Sequence, residues 1–242
     1  MKTLTVKLAA PLQSYGNQAN YERRTTGRYP SKSAVIGMIA AALGYHRDDP
    51  RIVELNSLQF AVRVDQATSV LSDFHIVEYD TKKHKRKLTY RDYMQDAVYI
   101  VAVGSDDCKM IDRIEYALHH PYFQLYLGRR SNPPAGPLVT KIFTDSNPVE
   151  VLQKLDWQAA DWFKQKYALR GRQDVMLELV ADANLLPEHK DYTVHDRVRS
   201  FAVTDRCYGY RLAATTQVKL PIAKKKINTE HDIMGILESE GD

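Results

Sequence analysis

The run AVYIVAVG, Ala97–Gly104, constrains the fold of this chain more than any other stretch. Its valines and isoleucine, closed by a glycine, predict a strand. DDCKMIDRIEYALHH follows at once, with Asp106 placed to cap a helix whose core face is Met110, Ile111, Ile114 and Leu118. Earlier in the chain, TLTVKLA alternates and predicts a strand over Thr3–Ala9, ended by Pro11. PSKSAVIGMIAAALG predicts a helix starting at Ser31 or Ser33, whose hydroxyl caps the first turn. Val35, Ile36, Ile39 and Leu43 form its apolar stripe, and Gly44 is placed to stop it. LQFAVRVD (Leu58–Asp65) and SVLSDFHIVE predict two further strands.

The order strand, helix, strand, strand, strand, helix predicts an α+β fold. It is the split βαβ pattern of ferredoxin-like and RRM-like domains, an antiparallel sheet with helices on one face. After Pro121 the pattern loosens into a less regular C-terminal half. There YLGRRSNPPAGPL reads as a turn-rich loop and NPVEVLQKLDW as a short helix capped by Asn147. VMLELVAD and YGYRLAATTQVKL read as strands. With 242 residues, 44% of them apolar, one large domain over residues 1–220 is expected, followed by a tail over 221–242 that is basic and then acidic.

Charge is spread unevenly. The net charge is only +4, yet KKHKRK (Lys82–Lys87) packs five cations and a histidine into six residues. The last fifteen residues hold five acids and no lysine or arginine, so the tail masks a more basic body. Two cysteines at no metal-ligand spacing point to a reduced, cytoplasmic setting. The N-terminus has no apolar signal core, and the longest apolar stretch is too short for a membrane span.

The loop from Pro11 to Pro30 is long for a strand-to-helix connection. Arg23, Arg24, Arg28 and Lys32 stand around Gly16 and Gly27, just before a helix N-terminus. Free amides at a helix start attract anions, and arginines grip phosphate with two donors. Tyr15, Tyr21 and Tyr29 offer stacking faces for bases. A solvated surface loop is the competing reading. KKHKRKLTYRDY falls where two strands should join, a place from which a basic hairpin tip reaches along a phosphodiester chain. LGRRS and HDRVRS add paired arginines, and those of LGRRS suit either phosphates or an acidic neighbour. H-x-x-x-H, paired C-x-x-C and G-x-S-x-G are all absent, so no motif supports zinc or serine-hydrolase chemistry, and neither metal nor cofactor is expected. Metal-free RNA cleavage by histidine and lysine needs no such motif and stays open.

KLAAPLQSYG, RTTGRYPSKSAVIGMIAAALG, RDD, TYRDYMQDA, YLGRRSNPP and DRVRSFAVTDRCYGYR fall in order from about residue 5 to residue 211. Together they resemble the fifth CRISPR-associated protein family in its type I-E branch. The resemblance implies a non-catalytic, RNA-binding subunit of the Cascade surveillance complex that caps the 5′ handle of the CRISPR RNA (crRNA) in antiviral defence. It implies a ferredoxin-like body with an inserted β-hairpin thumb, here at about 72–95. The thumb would pack on the backbone subunit (CasC) and the guide, and the body would meet the large subunit (CasA). A separate endonuclease cuts the precursor in type I-E systems. The corresponding type I-C subunit is itself a metal-independent endoribonuclease, which is the alternative. By motif, the resemblance implies RNA contacts at Gln13, Tyr15, Gly16, Arg24, Thr26, Gly27, Arg28, Lys32, Ser33, Gly128, Arg129 and Arg130. The thumb cations are Lys82, Lys83, Lys85, Arg86, Lys87 and Arg91.

Overall fold

The computed structural model describes residues 1–16 and 22–222. Seven strands form one antiparallel sheet: β1 (Lys2–Ala9), β4 (Gln59–Gln66), β7 (Val98–Ser105), β8 (Val139–Thr144), β9 (Asp174–Asp182), β10 (Asp191–Ser200) and β11 (Cys207–Pro221). Their order is β10-β11-β9-β4-β7-β1-β8, with AVYIVAVG at its heart between β4 and β1. A second, four-stranded sheet holds β2 (Leu12–Gln13), β3 (Arg23–Arg24) and the hairpin of β5 (Val70–Asp80) and β6 (Lys85–Gln95).

Side chains alternate between the faces of the main sheet. On one face, Val62 and Val64 of β4 and Tyr99, Val101 and Val103 of β7 meet α1 (Lys32–Ala42) and α3 (Cys108–His119). On the other, Ala61, Ile100 and Ala102 meet Val149 and Leu152 of α4 (Pro148–Lys154). Each valine or isoleucine buried this way contributes about 1.5–3 kcal/mol. Helices therefore cover both faces rather than one. The small residues Ala61 and Ala102 leave the room α4 occupies.

The N-cap of α1 is Ser31, whose Oγ accepts from the Ala34 amide at 3.2 Å. Gly44, at φ +77°, ends the helix: its N–H donates to the Ala41 carbonyl, and that of Tyr45 to the Ala40 carbonyl. The cap of α3 is Asp107, one residue later than expected; Asp106 instead faces the N-terminal amine at 3.5 Å. Asn147 caps α4 in a capping box with Glu150. Two short helices complete the fold, α2 (Arg51–Glu54) and α5 (Asp161–Leu169).

The C-terminal half is more regular than its sequence suggests. β9, β10 and β11 extend the main sheet, and β8 closes its other edge. Under α4 a fully buried ion pair forms: Arg63 Nε and Nη2 donate to Asp65 Oδ1 and Oδ2 at 2.7 and 2.9 Å. The remaining Arg63 donors reach the carbonyls of Leu152, Leu155 and Asp156, tying the end of α4 to β4. The expected tail lies, from residue 223, outside the described residues.

Candidate nucleic-acid interface

The described residues of the Pro11–Pro30 segment, 11–16 and 22–30, form a strap tied to the hairpin. β2 pairs with the end of β6 through Leu12 and Gln13, and β3 runs parallel to its middle, Arg23 opposite Tyr90 and Arg24 opposite Arg91. Beneath the strap Gln13 is fully buried, its Nε2 donating to the Ala97 carbonyl at 2.7 Å. Tyr15 donates its hydroxyl to Gln13 Oε1 at 2.7 Å and packs edge-on against Tyr99. Burial pushes the Tyr15 hydroxyl well above its usual pKa, with the neighbouring Tyr99 adding to the shift. Thr26 accepts from the Tyr15 amide and donates to the Gly27 carbonyl. Tyr99 donates to the Arg28 carbonyl.

Gln13, Tyr15 and Thr26 thus set the shape of the strap from within. The Tyr15 ring, read from sequence as a stacking platform, is only 3% exposed and serves as its floor. Tyr29 is half-buried with its hydroxyl 3.3 Å from that of Tyr192, and Tyr21 lies outside the described residues. Among the described residues of the strap, Pro11, Gly16, Glu22, Arg23, Arg24 and Arg28 are exposed, and Gly27 is half-buried.

The LGRRS loop docks on the strap. The Ser14 amide donates to the Leu127 carbonyl at 3.2 Å, and Gly128, at φ +91°, presses on the Ser14 backbone. Arg129 Nη2 donates to the Arg24 carbonyl at 2.9 Å, and its guanidinium lies 4.4 Å over the Tyr93 ring. Arg130 is exposed. Two guanidinium nitrogens here, Arg129 Nη1 and Arg91 Nε, are buried without a hydrogen-bond partner. Buried donors are nearly always satisfied, so both atoms are exceptions within the described residues.

Beside them Arg23 Nε lies 3.3 Å from Asp92, which also accepts from Ser72 at 2.8 Å. Burial works against the Asp92 charge, yet the Ser72 and Arg23 hydrogen bonds hold its carboxyl below the usual value. Asp92 and Tyr93 anchor this site, and the sequence reading missed them.

At the start of α1 the structure departs from the sequence reading. Lys32 is buried, and its Nζ reaches Asp182 of β9 at 2.9 Å. Its amide, expected beneath a phosphate, donates to Asp196 of β10 at 2.8 Å. Arg211 of β11 bridges the same two carboxylates at 2.6 and 3.0 Å. Burial draws the Lys32 pKa down; burial also opposes the charge of Arg211, but the Asp196 and Asp182 carboxylates hold it up. A protein carboxylate thus occupies the anion position of this helix. Ser33 Oγ lies 3.1 Å from Ser31 Oγ, inside the same first turn.

The hairpin projects with Lys82 and Lys83 in its tip turn and His84 at φ +49°. Lys85, Arg86 and Lys87 open β6; Lys87 lies 2.5 Å from Glu22 and Arg86 3.5 Å from Glu78. The Glu22 carboxyl is lowered by that Lys87 hydrogen bond. On one hairpin face Phe74 stands opposite Tyr90 and Ile76 opposite Leu88. All four are exposed, Phe74 and Ile76 by 60% and 65%.

The family model described as CRISPR-associated protein (Cas_Cas5) matches residues 3–213. Over 181 residues the chain is 32% identical to the CRISPR system Cascade subunit CasD of Escherichia coli (strain K12), a match covering 67% of this chain and 81% of that one. A chain of a CRISPR RNA-guided surveillance complex aligns with TM-score 0.72 and 29% identity, covering 90% of this chain and 91% of that one. A crystal structure of a Cas protein aligns with TM-score 0.63 and 26% identity, covering 91% and 95%. The chain belongs to the CRISPR-associated Cas5 family.

Proposed function

Membership of that family is the premise from which we propose that this chain is a non-catalytic, crRNA-binding subunit of a Cascade complex. The observation that carries the reading is the meeting of three distant motifs at the hairpin base. There Arg24, Arg28 and Arg130 are exposed, and Arg24 lies opposite Arg91 with its carbonyl bonded by Arg129. A single-stranded RNA end offers what such a surface lacks, phosphate oxygens for guanidinium donors and unstacked bases. Gly16, Gly27 and Gly128 keep the backbone low along that path. Ser33 stands with Ser31 in the first turn of α1. Gln13, Tyr15, Thr26 and Lys32 hold the surface in shape from below.

On this reading residues 1–220 act as one body whose β8-β1-β7-β4 strand order is that of a ferredoxin-like, RRM-like domain, with the hairpin inserted as a thumb. The RNA it holds is the 5′ handle. The thumb's apolar face of Phe74, Ile76, Leu88 and Tyr90 suits a packed protein neighbour, the backbone subunit CasC. The tip cations Lys82, Lys83 and Lys85 lie toward the guide, and the body meets CasA.

Reconstitution of the complex with R24A/R28A and with R129A tests the proposal. Guide occupancy, read from the 260/280 nm absorbance ratio, should fall in both. Full occupancy in both would overturn the site. Labelled repeat RNA incubated with the purified chain in EDTA should remain intact, and site-specific cleavage would overturn the non-catalytic reading.

A further inference from the structure

The arginines of HDRVRS take no part in the hairpin base. We propose that the outer end of the β10–β11 ribbon is a second seat for single-stranded nucleic acid. Along β10 exposure alternates: His195, Arg197 and Arg199 face solvent while Asp196 and Val198 are buried. Asp196 is therefore not their counter-ion, because its oxygens are taken by Arg211 and the Lys32 amide. Among the described residues Arg197 and Arg199 have no ion-pair partner. Gly209 stands opposite Arg197, and a Cβ on it would lie 3.0 Å from Arg199 Nε. The missing side chain lets that guanidinium lie across β11.

Aromatic rings stand at the same end of the ribbon, at the positions on either side of Gly209. Tyr210 is 66% exposed and carries the His195 ring at 4.6 Å, tilted by 35°. Arg206 Nε donates to the Tyr208 hydroxyl at 2.7 Å, with its guanidinium 5.7 Å from that ring. Against three exposed guanidiniums the turn supplies one exposed carboxylate, Asp205; Asp48 and Asp49 line a cavity with Arg199, Asp49 being taken by Arg51, and Asp191 lies at the opposite end of β10. A surplus of exposed cations at the same ribbon end as an exposed ring supplies the elements of single-strand binding, phosphate attraction with base stacking. A packed protein partner would have to bring carboxylates for all three arginines.

The full-length chain, titrated against fluorescein-labelled oligouridylate of roughly 16 nucleotides, the upper end of a single-strand site, tests this by anisotropy. R197A/R199A should weaken binding about tenfold or more and flatten the slope of log K against log salt by about 1.4, two phosphate contacts' worth. Y210A should weaken binding while leaving that slope unchanged, as loss of stacking requires. Unaltered affinity in both variants overturns the inference. So does a double variant that binds RNA normally but no longer binds labelled polyglutamate, which would assign the surface to an acidic protein. R24A/R28A, measured alongside, reads the hairpin-base site separately, so either site can fail while the other stands.

Discussion

Gly128 lies so close to Ser14 that a Cβ built on it would sit 1.6 Å from the Ser14 carbonyl oxygen. The two residues are 114 positions apart, and their contact holds the LGRRS loop against the strap. With φ at +91°, the position is also strained for any other residue. Gly128→Ala should therefore cost about 1–3 kcal/mol and lower guide occupancy, because the Arg129 bond to the Arg24 carbonyl depends on the same docking. Thermal unfolding and the absorbance ratio of the reconstituted complex check both effects.

The Arg63–Asp65 pair should be the costliest single disruption in the chain. Arg63→Ala leaves the buried Asp65 carboxylate uncompensated and frees three carbonyls at the end of α4. A loss of about 3–5 kcal/mol is expected, read from urea unfolding. Guide binding per folded molecule should be unchanged, since none of the surface arginines touches this pair.

Asp92 links the hairpin base to acid stability. Its folded-state pKa lies below the unfolded value of about 3.9, so the unfolded chain binds the extra proton first as pH falls. Its contribution is full above the unfolded pKa and is lost as pH drops through the folded one. The stability difference between the unaltered chain and Asp92→Asn should accordingly shrink between pH 5 and pH 3, measured by chemical denaturation at each pH. A constant difference would contradict this.

The hairpin's apolar face should separate folding from assembly. Phe74 and Ile76 are more than half exposed, so Phe74→Glu and Ile76→Glu should change stability by less than about 0.5 kcal/mol. Co-purification of the backbone subunit should drop sharply in both. Undiminished co-purification would move that partner elsewhere on the chain.

The first half of the fold was readable because its strands are buried. β1, β4 and β7 carry unbroken or nearly unbroken core patterns, and α1 and α3 have side-chain caps. β8 and β10 escaped because they are edge strands; VTKIFT and DYTVHDRVRS turn threonines and charges outward, as edges do. α4's position on the second face could not be read from its own length of seven residues. It follows from the alanines opposite it.

The candidate site was legible as a set of motifs but not as a surface. Nothing in QSYG says that Tyr15 points inward, because tyrosine suits a floor as well as a platform. The role of Lys32 depends on Asp182 and Asp196, about 150 residues later. Local spacing cannot reveal a counter-ion that distant. Asp92 and Tyr93 sit in a stretch the resemblance quoted, yet their partners Arg23 and Arg129 come from two other segments.

The carboxylate of Asp196 at the start of α1 bears on the order of assembly. A chain whose helix start waited for phosphate would leave its first turn uncapped by charge until a guide arrived, and its maturation would be tied to transcription of the array. This chain brings its own anion from β10, and Arg211 and Lys32 balance it internally. The first turn of α1 therefore needs no phosphate to balance it, and the surface arginines are left as the part of the strap that answers to an outside anion.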